Sequence, residues 1–355
     1  MRLLNHYTVN ALRRNANVIG AGVSGLTTAL LLQKDGFQVK ILAEHFPGDI
    51  SIDYCSPNAG AQWRADRNLE PGSFNAKIHE NTFKKLRNLI DTEPDSGVAS
   101  MTLYEYDDVV ADSKDSWLKD LVPNVIPQSQ LPAGAKRGIS YTTVAIDVPK
   151  YLKWQLQKFT DGGGITQRCR LKHIKEAFGE NVDVVVNCTG LRASNLGGVE
   201  DQTMYPTRGQ TILVRAPHVK SMKTLNVGDE VTYVIPRGMS GNIILGGTMD
   251  KYKSEESPNE GIADGIMSRC IALYPSLTKG FEIISHNVGL RPSRVEGLRV
   301  ETETARNDDG KEIIICHNYG HHSYGYQTSW GSSQEALELI RKALSSQGEG
   351  AQSKL

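Results

Sequence analysis

Hydrophobic runs of two kinds alternate along the chain. Some are short and nearly unbroken, as in "NVIGAG" (17–22), "QVKILAE" (38–44), "VDVVVNCTG" (182–190) and "KEIIICHNYG" (311–320). Such runs, bounded by glycine or polar residues, read as strands. "VDVVV" lacks the alternation that would leave one face to water, so it predicts a strand buried on both faces. Others recur at helical spacing. Residues 24–34 predict an amphipathic helix with Leu26, Leu30 and Leu31 on one face, stopped by Gly36. "SFNAKIHENTFKKLRNLIDT" (73–92) puts Ile78, Phe83, Leu86 and Leu89 at core spacing, and "SSQEALELIRKALSS" (332–346) predicts a closing helix. Between these lie "GQTILVRA", "VTYVIPR" and "NIILGGT", separated by Gly, Ser and Asn turns, which predicts an antiparallel sheet.

Parallel-type strands at both ends and in the middle, with an antiparallel block between, predict an α/β protein of two units sharing the chain discontinuously. The expected nucleotide-binding unit takes residues 1–62, 136–200 and 300–345. The expected substrate unit, on a mixed or antiparallel sheet, takes 63–135 and 201–299, and 346–355 form a flexible tail.

The first strand and helix carry chemistry. Gly20-x-Gly22-x-x-Gly25 follows a strand and opens a helix, a pattern that permits a tight turn, close approach of a pyrophosphate and close helix packing, with the helix N-terminus offering positive potential. Glu44 falls 19 residues beyond Gly25, at the end of the second strand, where a carboxylate can accept from ribose hydroxyls. The reading is a Rossmann-type dinucleotide site. The strand before the motif, "RRNANVIG", is unusually polar. The motif alone admits FAD or NAD; "HNYGHHSYGYQTSWG" (317–331), a second Gly-rich strand-to-helix turn, favours FAD, because it returns backbone N–H groups to the same cofactor.

Composition narrows the partners. The 40 basic and 40 acidic side chains cancel, which argues against nucleic acid or an anionic membrane as the main partner. Five scattered cysteines without a CxxC pairing suit free thiols rather than a disulfide scaffold or zinc site. No apolar run is long enough to span a membrane. Arg13 and Arg14, with no acidic residue before Asp35, also admit a targeting leader, although the glycine motif accounts for the apolar part. The polar tail ends in Ser353-Lys354-Leu355, a peroxisomal address, so the expected location is the peroxisome and one expected partner its import receptor.

Taken together, "VIGAGVSGLTTALLL", "AEHFPGD", "SPNAGAQW", "VVNCTGL", "PTRGQTILVRAP", "TYVIPR", "LGGT", "VGLRPSR" and "HNYGHHSYGYQTSWG" occur in an order and spacing that resembles the D-amino-acid oxidases, especially the fungal ones, over residues 17–345. The resemblance implies an FAD enzyme taking a D-amino acid and O₂, giving hydrogen peroxide, a 2-oxo acid and ammonia, and a homo-oligomer. It implies that Arg291 of "GLRP" binds the substrate α-carboxylate, helped by the Tyr233 hydroxyl, and that Ser323 and Gln327 lie near the amino group. A planar guanidinium suits that task, since it grips a carboxylate bidentately. The competing assignment for Arg291 is a structural ion pair with Glu296 or Glu301. The implied cofactor set is Gly20, Ala21, Gly22, Val23, Ser24, Gly25, Glu44, His45, Ser51, Gly60, Ala61, Gln62, Thr189, Gly190, Gly320, Ser323, Gly325, Tyr326 and Gln327. No metal is implied: His317, His321 and His322 present no defined ligand face.

The chain departs from the family at the substrate pocket. Asn58 stands where many relatives carry Trp, and Met249 follows "LGGT"; with His322 these form the expected side-chain pocket. The sequence "RVEGLR" (294–299) replaces the usual run after the carboxylate clamp. An acidic substrate needs a cationic or amide-rich pocket, because an unpaired buried carboxylate is prohibitive. Asn58, Arg64, His321 or His322 could supply one, so neutral and acidic D-amino acids both stand as substrate classes. Glycine or sarcosine is a more remote one.

Overall fold

The structure, a computed structural model, describes residues 13–66, 68–109, 121–238 and 240–352. The leader reading of the first twelve residues and the Ser-Lys-Leu terminus lie outside the described residues. In chain order, β1 (Asn15–Ile19), α1 (Val23–Lys34) and β2 (Gln38–Ala43) form the first unit. Next come α2 (Phe74–Thr92), β3 (Val98–Asp107), β4 (Asn124–Val125), β5 (Arg137–Ile146), α3 (Val148–Asp161), β6 (Ile165–Arg168) and β7 (Val184–Asn187). The antiparallel block holds β8 (Met204–Arg215), β9 (Met222–Val227), β10 (Glu230–Pro236), β11 (Asn242–Gly246), β12 (Asp250–Lys251), α4 (Glu260–Leu273) and β13 (Glu282–Arg294). The chain closes with β14 (Arg299–Arg306), β15 (Glu312–Tyr319) and α5 (Gly325–Gln352).

Two sheets result. The smaller has the order β14-β15-β7-β1-β2-β6, parallel except at its β14 edge. Its polar first strand has a simple explanation. Ala16, Val18 and Ile19 are buried, whereas the Asn17 side-chain amide donates to the carbonyl of Ala177 and the Asn15 backbone N–H donates to Asp183. The asparagines tie the strand to its neighbours and leave the core to the remaining residues. As expected, Val184, Val185 and Val186 are wholly buried. One sheet face packs on α1, α3 and α5 and the other on residues 169–199.

The larger sheet runs β12-β8-β11-β10-β9-β3-β5-β4, with β13 also paired to β8. It is antiparallel except where β3 meets β9. Residues 137–146, which the sequence reading grouped with the nucleotide unit, form a strand of this larger sheet and pair along β3.

The helices follow their patterns with two differences. Ser73 caps α2 as its hydroxyl accepts from the Ala76 N–H, and Ile78, Phe83, Leu86 and Leu89 are all buried. Helix α1, in contrast, is enclosed nearly all round. Leu26, Ala29 and Leu32 carry its core face while Leu30 and Leu31 are half-buried, because α3 and α5 cover the flank that a surface helix would show to water. Helix α5 begins at Gly325 rather than at 332, so the second half of the Gly-rich segment is already helical, and the helix runs on to Gln352 into the stretch read as a flexible tail.

Candidate active site

Both sheets contribute to one cavity of about 420 Å³. At its nucleotide end the three glycines do different work. Gly20 has φ +106°, and a Cβ there would lie 2.6 Å from the carbonyl oxygen of Cys188, so the turn is open only to glycine. A Cβ on Gly25 would fall 1.9 Å from the Gly20 carbonyl oxygen. Gly25 therefore does not line the cavity; it lets α1 close on the loop that does. Helix α1 has no side-chain N-cap and no acidic residue in its first turn. Of its first N–H groups, that of Val23 meets the Ser56 hydroxyl at 3.0 Å. Tyr54 secures the loop by donating to the Ala21 carbonyl at 2.7 Å. A helix N-terminus behind a glycine turn, whose own N-cap residue offers no side chain, is an anion cradle.

Glu44 lines the same end of the cavity, held by Arg192 at 2.6 Å and Arg170 at 3.3 Å. Sequence reading missed both arginines. They arrive from β6's far end and from the turn after β7, and nothing in their local sequence marks them. His45, Gly60, Ala61, Thr189, Gly190, Gly325 and Tyr326 line the cavity too. Gln62 donates to the Thr224 hydroxyl at 3.1 Å, and its carbonyl Oε1 is buried among the lining residues with no protein partner. An unmet acceptor at the wall, a glycine cradle and an open helix end fit a dinucleotide cofactor, whose pyrophosphate and polar ring edges would meet them. Besides Gly25, two members of the sequence-derived set lie elsewhere. Ser51 uses its hydroxyl to accept from the Asp53 N–H in a turn, and Gly320 backs onto Arg294 and Gly297.

The other end is built on the larger sheet. Gly289 and Gly209 are direct neighbours on β13 and β8, and together they make a floor without side chains. Arg291 leans across Gly209: a Cβ there would meet its Nη1 at 2.4 Å. Asn58 rests on Gly289, where a Cβ would approach its own Cβ to 2.9 Å. One row further, Tyr233 lies over Gly246 and Gly247, whose added Cβ atoms would strike its ring or hydroxyl within 2.5 Å. Four glycines thus lower the sheet beneath three side chains, those of Arg291, Asn58 and Tyr233.

Arg291 donates to the carbonyls of Thr248 at 3.1 Å and Arg208 at 3.4 Å. The acids of the competing assignment are engaged: Glu296 binds Arg294 at 2.7 Å, and Glu301 binds Arg299 at 2.6 Å. Among the described residues Arg291 has no carboxylate partner, and the cavity is where it faces. Burial raises the Tyr233 phenol above its ordinary pKa, against the pull of Arg291, so it stays a neutral donor.

Met249, His322, Ser323 and Gln327 complete the wall. Burial pushes His321 down to about 4; burial, with Arg291 and Lys251 nearby, does the same for His322. Both imidazoles are neutral near pH 7. His322 also has φ +51°, the left-handed region uncommon for a non-glycine residue, at the turn that opens α5. Arg64 lines the cavity as well and stands 3.5 Å from Glu105. The sequence-derived clamp, pocket and cofactor residues therefore meet in one space, apart from Gly25, Ser51 and Gly320.

Nucleotide cradle, uncompensated guanidinium and two-sheet frame together define a flavin oxidoreductase. The chain belongs to the D-amino-acid oxidase family of FAD-dependent oxidoreductases: residues 16–339 match the family described as "FAD dependent oxidoreductase". It is 35% identical over 367 residues to a D-amino-acid oxidase of Fusarium vanettenii, covering 95% of this chain and 98% of that protein. It is 36% identical to a D-amino-acid oxidase of Schizosaccharomyces pombe, covering 92% and 96%. Among solved structures, the fold matches glycine oxidase from Geobacillus kaustophilus with a TM-score of 0.75, at 16% identity and with 93% and 95% of the two chains covered.

Proposed function

We propose that this protein oxidises D-amino acids, and that the single observation carrying the assignment is Arg291, a guanidinium without a carboxylate partner at the end of the FAD cavity. The substrate α-carboxylate lies against Arg291, with the Tyr233 hydroxyl as second donor. That contact fixes the molecule at one end, so that its Cα–H is held toward the flavin. Orientation of this kind is worth roughly 7–11 kcal/mol in well-aligned systems. When bound, FAD supplies a hydride acceptor whose electrons pass to O₂ as hydrogen peroxide. The imino acid that leaves is hydrolysed to a 2-oxo acid and ammonia. Ser323 and Gln327 line the wall on the amino-group side. No protein base is assigned, because a neutral amine needs none and both nearby histidines serve as neutral wall groups.

Asn58, Met249 and His322 present an amide, a thioether and a neutral imidazole. None of these carries a positive charge to balance a buried carboxylate, so uncharged side chains are the preferred substrate class. Arg64 and Asn58 support the second reading, acidic D-amino acids. A peroxide-coupled screen of D-alanine, a bulky D-amino acid, D-aspartate, D-glutamate and sarcosine separates them. We expect turnover of D-alanine to exceed that of D-aspartate; the reverse order selects the acidic reading, and sarcosine turnover without D-alanine turnover rejects both. Because His322 gains its proton only as pH falls through about 4, the D-aspartate to D-alanine ratio is expected to stay flat from about pH 8 to 6. A steep rise over that interval would show that an imidazolium binds the side chain.

The floor offers its own test. In Gly209→Ala the new methyl displaces the mobile end of Arg291 rather than backbone. The expected result is a folded, flavin-loaded protein whose KM for D-amino acids rises roughly tenfold or more, equivalent to about 1–3 kcal/mol of overpacking. Unchanged KM would detach the clamp from its glycine floor. For location, we propose that Ser353-Lys354-Leu355 addresses the protein to peroxisomes through their import receptor. Deleting Leu355 should leave activity intact while a fluorescent fusion becomes cytosolic; persistent punctate fluorescence would reject the address.

A further inference from the structure

Behind the cofactor cavity a polar chain crosses the smaller sheet from its β14 edge. Glu303 on β14 is half exposed, and its Oε1 lies 3.4 Å from Nε2 of His317, which is buried on β15. Nδ1 of the same ring is 3.2 Å from the side-chain nitrogen of Asn187, its direct neighbour on β7. The Asn187 carbonyl Oδ1 then accepts twice from Thr189, from the backbone N–H at 3.1 Å and from the hydroxyl at 2.7 Å. Thr189 lines the FAD cavity.

The bonds fix the protons. Oδ1 of Asn187 is committed to two donors, so the group facing His317 is the NH₂, and Nδ1 must accept. The ring proton therefore sits on Nε2, on the Glu303 side, where the carboxylate is near but no aligned hydrogen bond forms. Burial, with Arg299 beside it, holds His317 below the ordinary imidazole pKa despite Glu303 and Glu301, so the ring is neutral and its acceptor is preserved. Tyr319 closes the remaining side edge-on, with its ring centroid 5.7 Å away.

The anchored turn has consequences in the cavity. Cys188 and Thr189 back directly onto Gly20 of the glycine loop. Gly190, with φ +58°, starts the short helix that carries Arg192 to Glu44. A shift at Thr189 would therefore move the wall behind the glycine loop and the ion pair at the far nucleotide end together.

We propose that His317 is a positioning residue for FAD: as a neutral acceptor it orients the Asn187 amide, and that amide holds the Thr189 turn against the glycine loop. The inference rests on the FAD site described above and adds to it a residue that does not line the cavity. His317→Asn and His317→Gln separate this from a merely structural role. Asparagine can return an acceptor at the Nδ1 position; glutamine places its amide toward Glu303 and leaves Asn187 without one. The measurement is FAD release from full-length holoprotein on dilution, followed by flavin fluorescence, with thermal melting in parallel. His317→Gln is expected to raise the FAD dissociation constant roughly 10–100-fold, while His317→Asn stays within about threefold of the parent. Combining His317→Gln with Thr189→Val should cost less than the sum of the two, because both cut the same chain. Equal dissociation constants for the two His317 variants, parental affinity in His317→Gln, or additive effects in the double variant would each overturn the proposal. A parent protein that holds no FAD would instead count against the functional assignment itself.

Discussion

Arg291→Met is expected to lower kcat/KM for every D-amino acid by roughly two to four orders of magnitude while the protein still purifies with its flavin. The estimate follows from leaving one charge of a desolvated pair without its partner, which costs about 3–5 kcal/mol, at about 1.4 kcal/mol per factor of ten. Here the stranded charge is the substrate carboxylate. The fold should tolerate the change, because Arg291 gives up hydrogen bonds to the Thr248 and Arg208 carbonyls and its contact with the Tyr233 hydroxyl, and breaks no ion pair among the described residues. Arg291→Lys should recover part of the loss, as a point charge without the planar fork. The loss should be common to small and bulky substrates, since the α-carboxylate is shared by all of them. Steady-state kinetics on three D-amino acids check this, and a loss confined to one of them would move Arg291 from the clamp to the side-chain pocket.

Gly25→Ala should be the most damaging single methyl at the cofactor end. Its Cβ would meet the Gly20 carbonyl oxygen at 1.9 Å, main chain against main chain, with no flexible side chain to give way. Relief requires α1 to move off the glycine loop, which opens the anion cradle. Overpacking of this kind costs about 1–3 kcal/mol or more, so FAD affinity should fall roughly 10–100-fold or further and the melting temperature should drop. Absorption spectra of the purified variant and its thermal melt measure both. Full flavin content with parental melting would mean that α1 and the loop are not locked together.

How much of this was legible beforehand depended on the range of the interactions. The glycine motif, Glu44 and the buried valines of β7 act through spacing within one strand-turn-helix unit, and local periodicity exposes that. The larger site was read mainly through family resemblance, because register across four strands brings Arg291 to Tyr233, and a short helical turn outside the sheet sets Asn58 on Gly289. The glycine floor illustrates the gap. Gly209 and Gly289 are ordinary strand glycines in sequence, and only their pairing shows that they clear space for Arg291 and Asn58. Arg170 and Arg192 were missed because a surface arginine and a cofactor-end arginine look alike until Glu44 is placed between them. The start of α5 at Gly325 was hidden by glycine and serine, which read as turn residues, yet buried packing against α1 and α2 sustains the helix. At Gly331 the approach to α2 is so close that a Cβ would meet the Ile78 carbonyl at 2.1 Å.

The order of strands in the smaller sheet also bears on how the protein is made. β7 sits between β1 and β15, and β15 begins only at residue 312. At ribosomal rates of about 5–20 residues per second, roughly 6–25 s pass between synthesis of β7 and that of its second neighbour. During that interval Val184, Val185 and Val186 offer a bare hydrophobic rim to any other nascent chain. Production of this protein should therefore depend on chaperone capacity, and fragments ending before β15 should aggregate rather than accumulate as a soluble nucleotide-binding half.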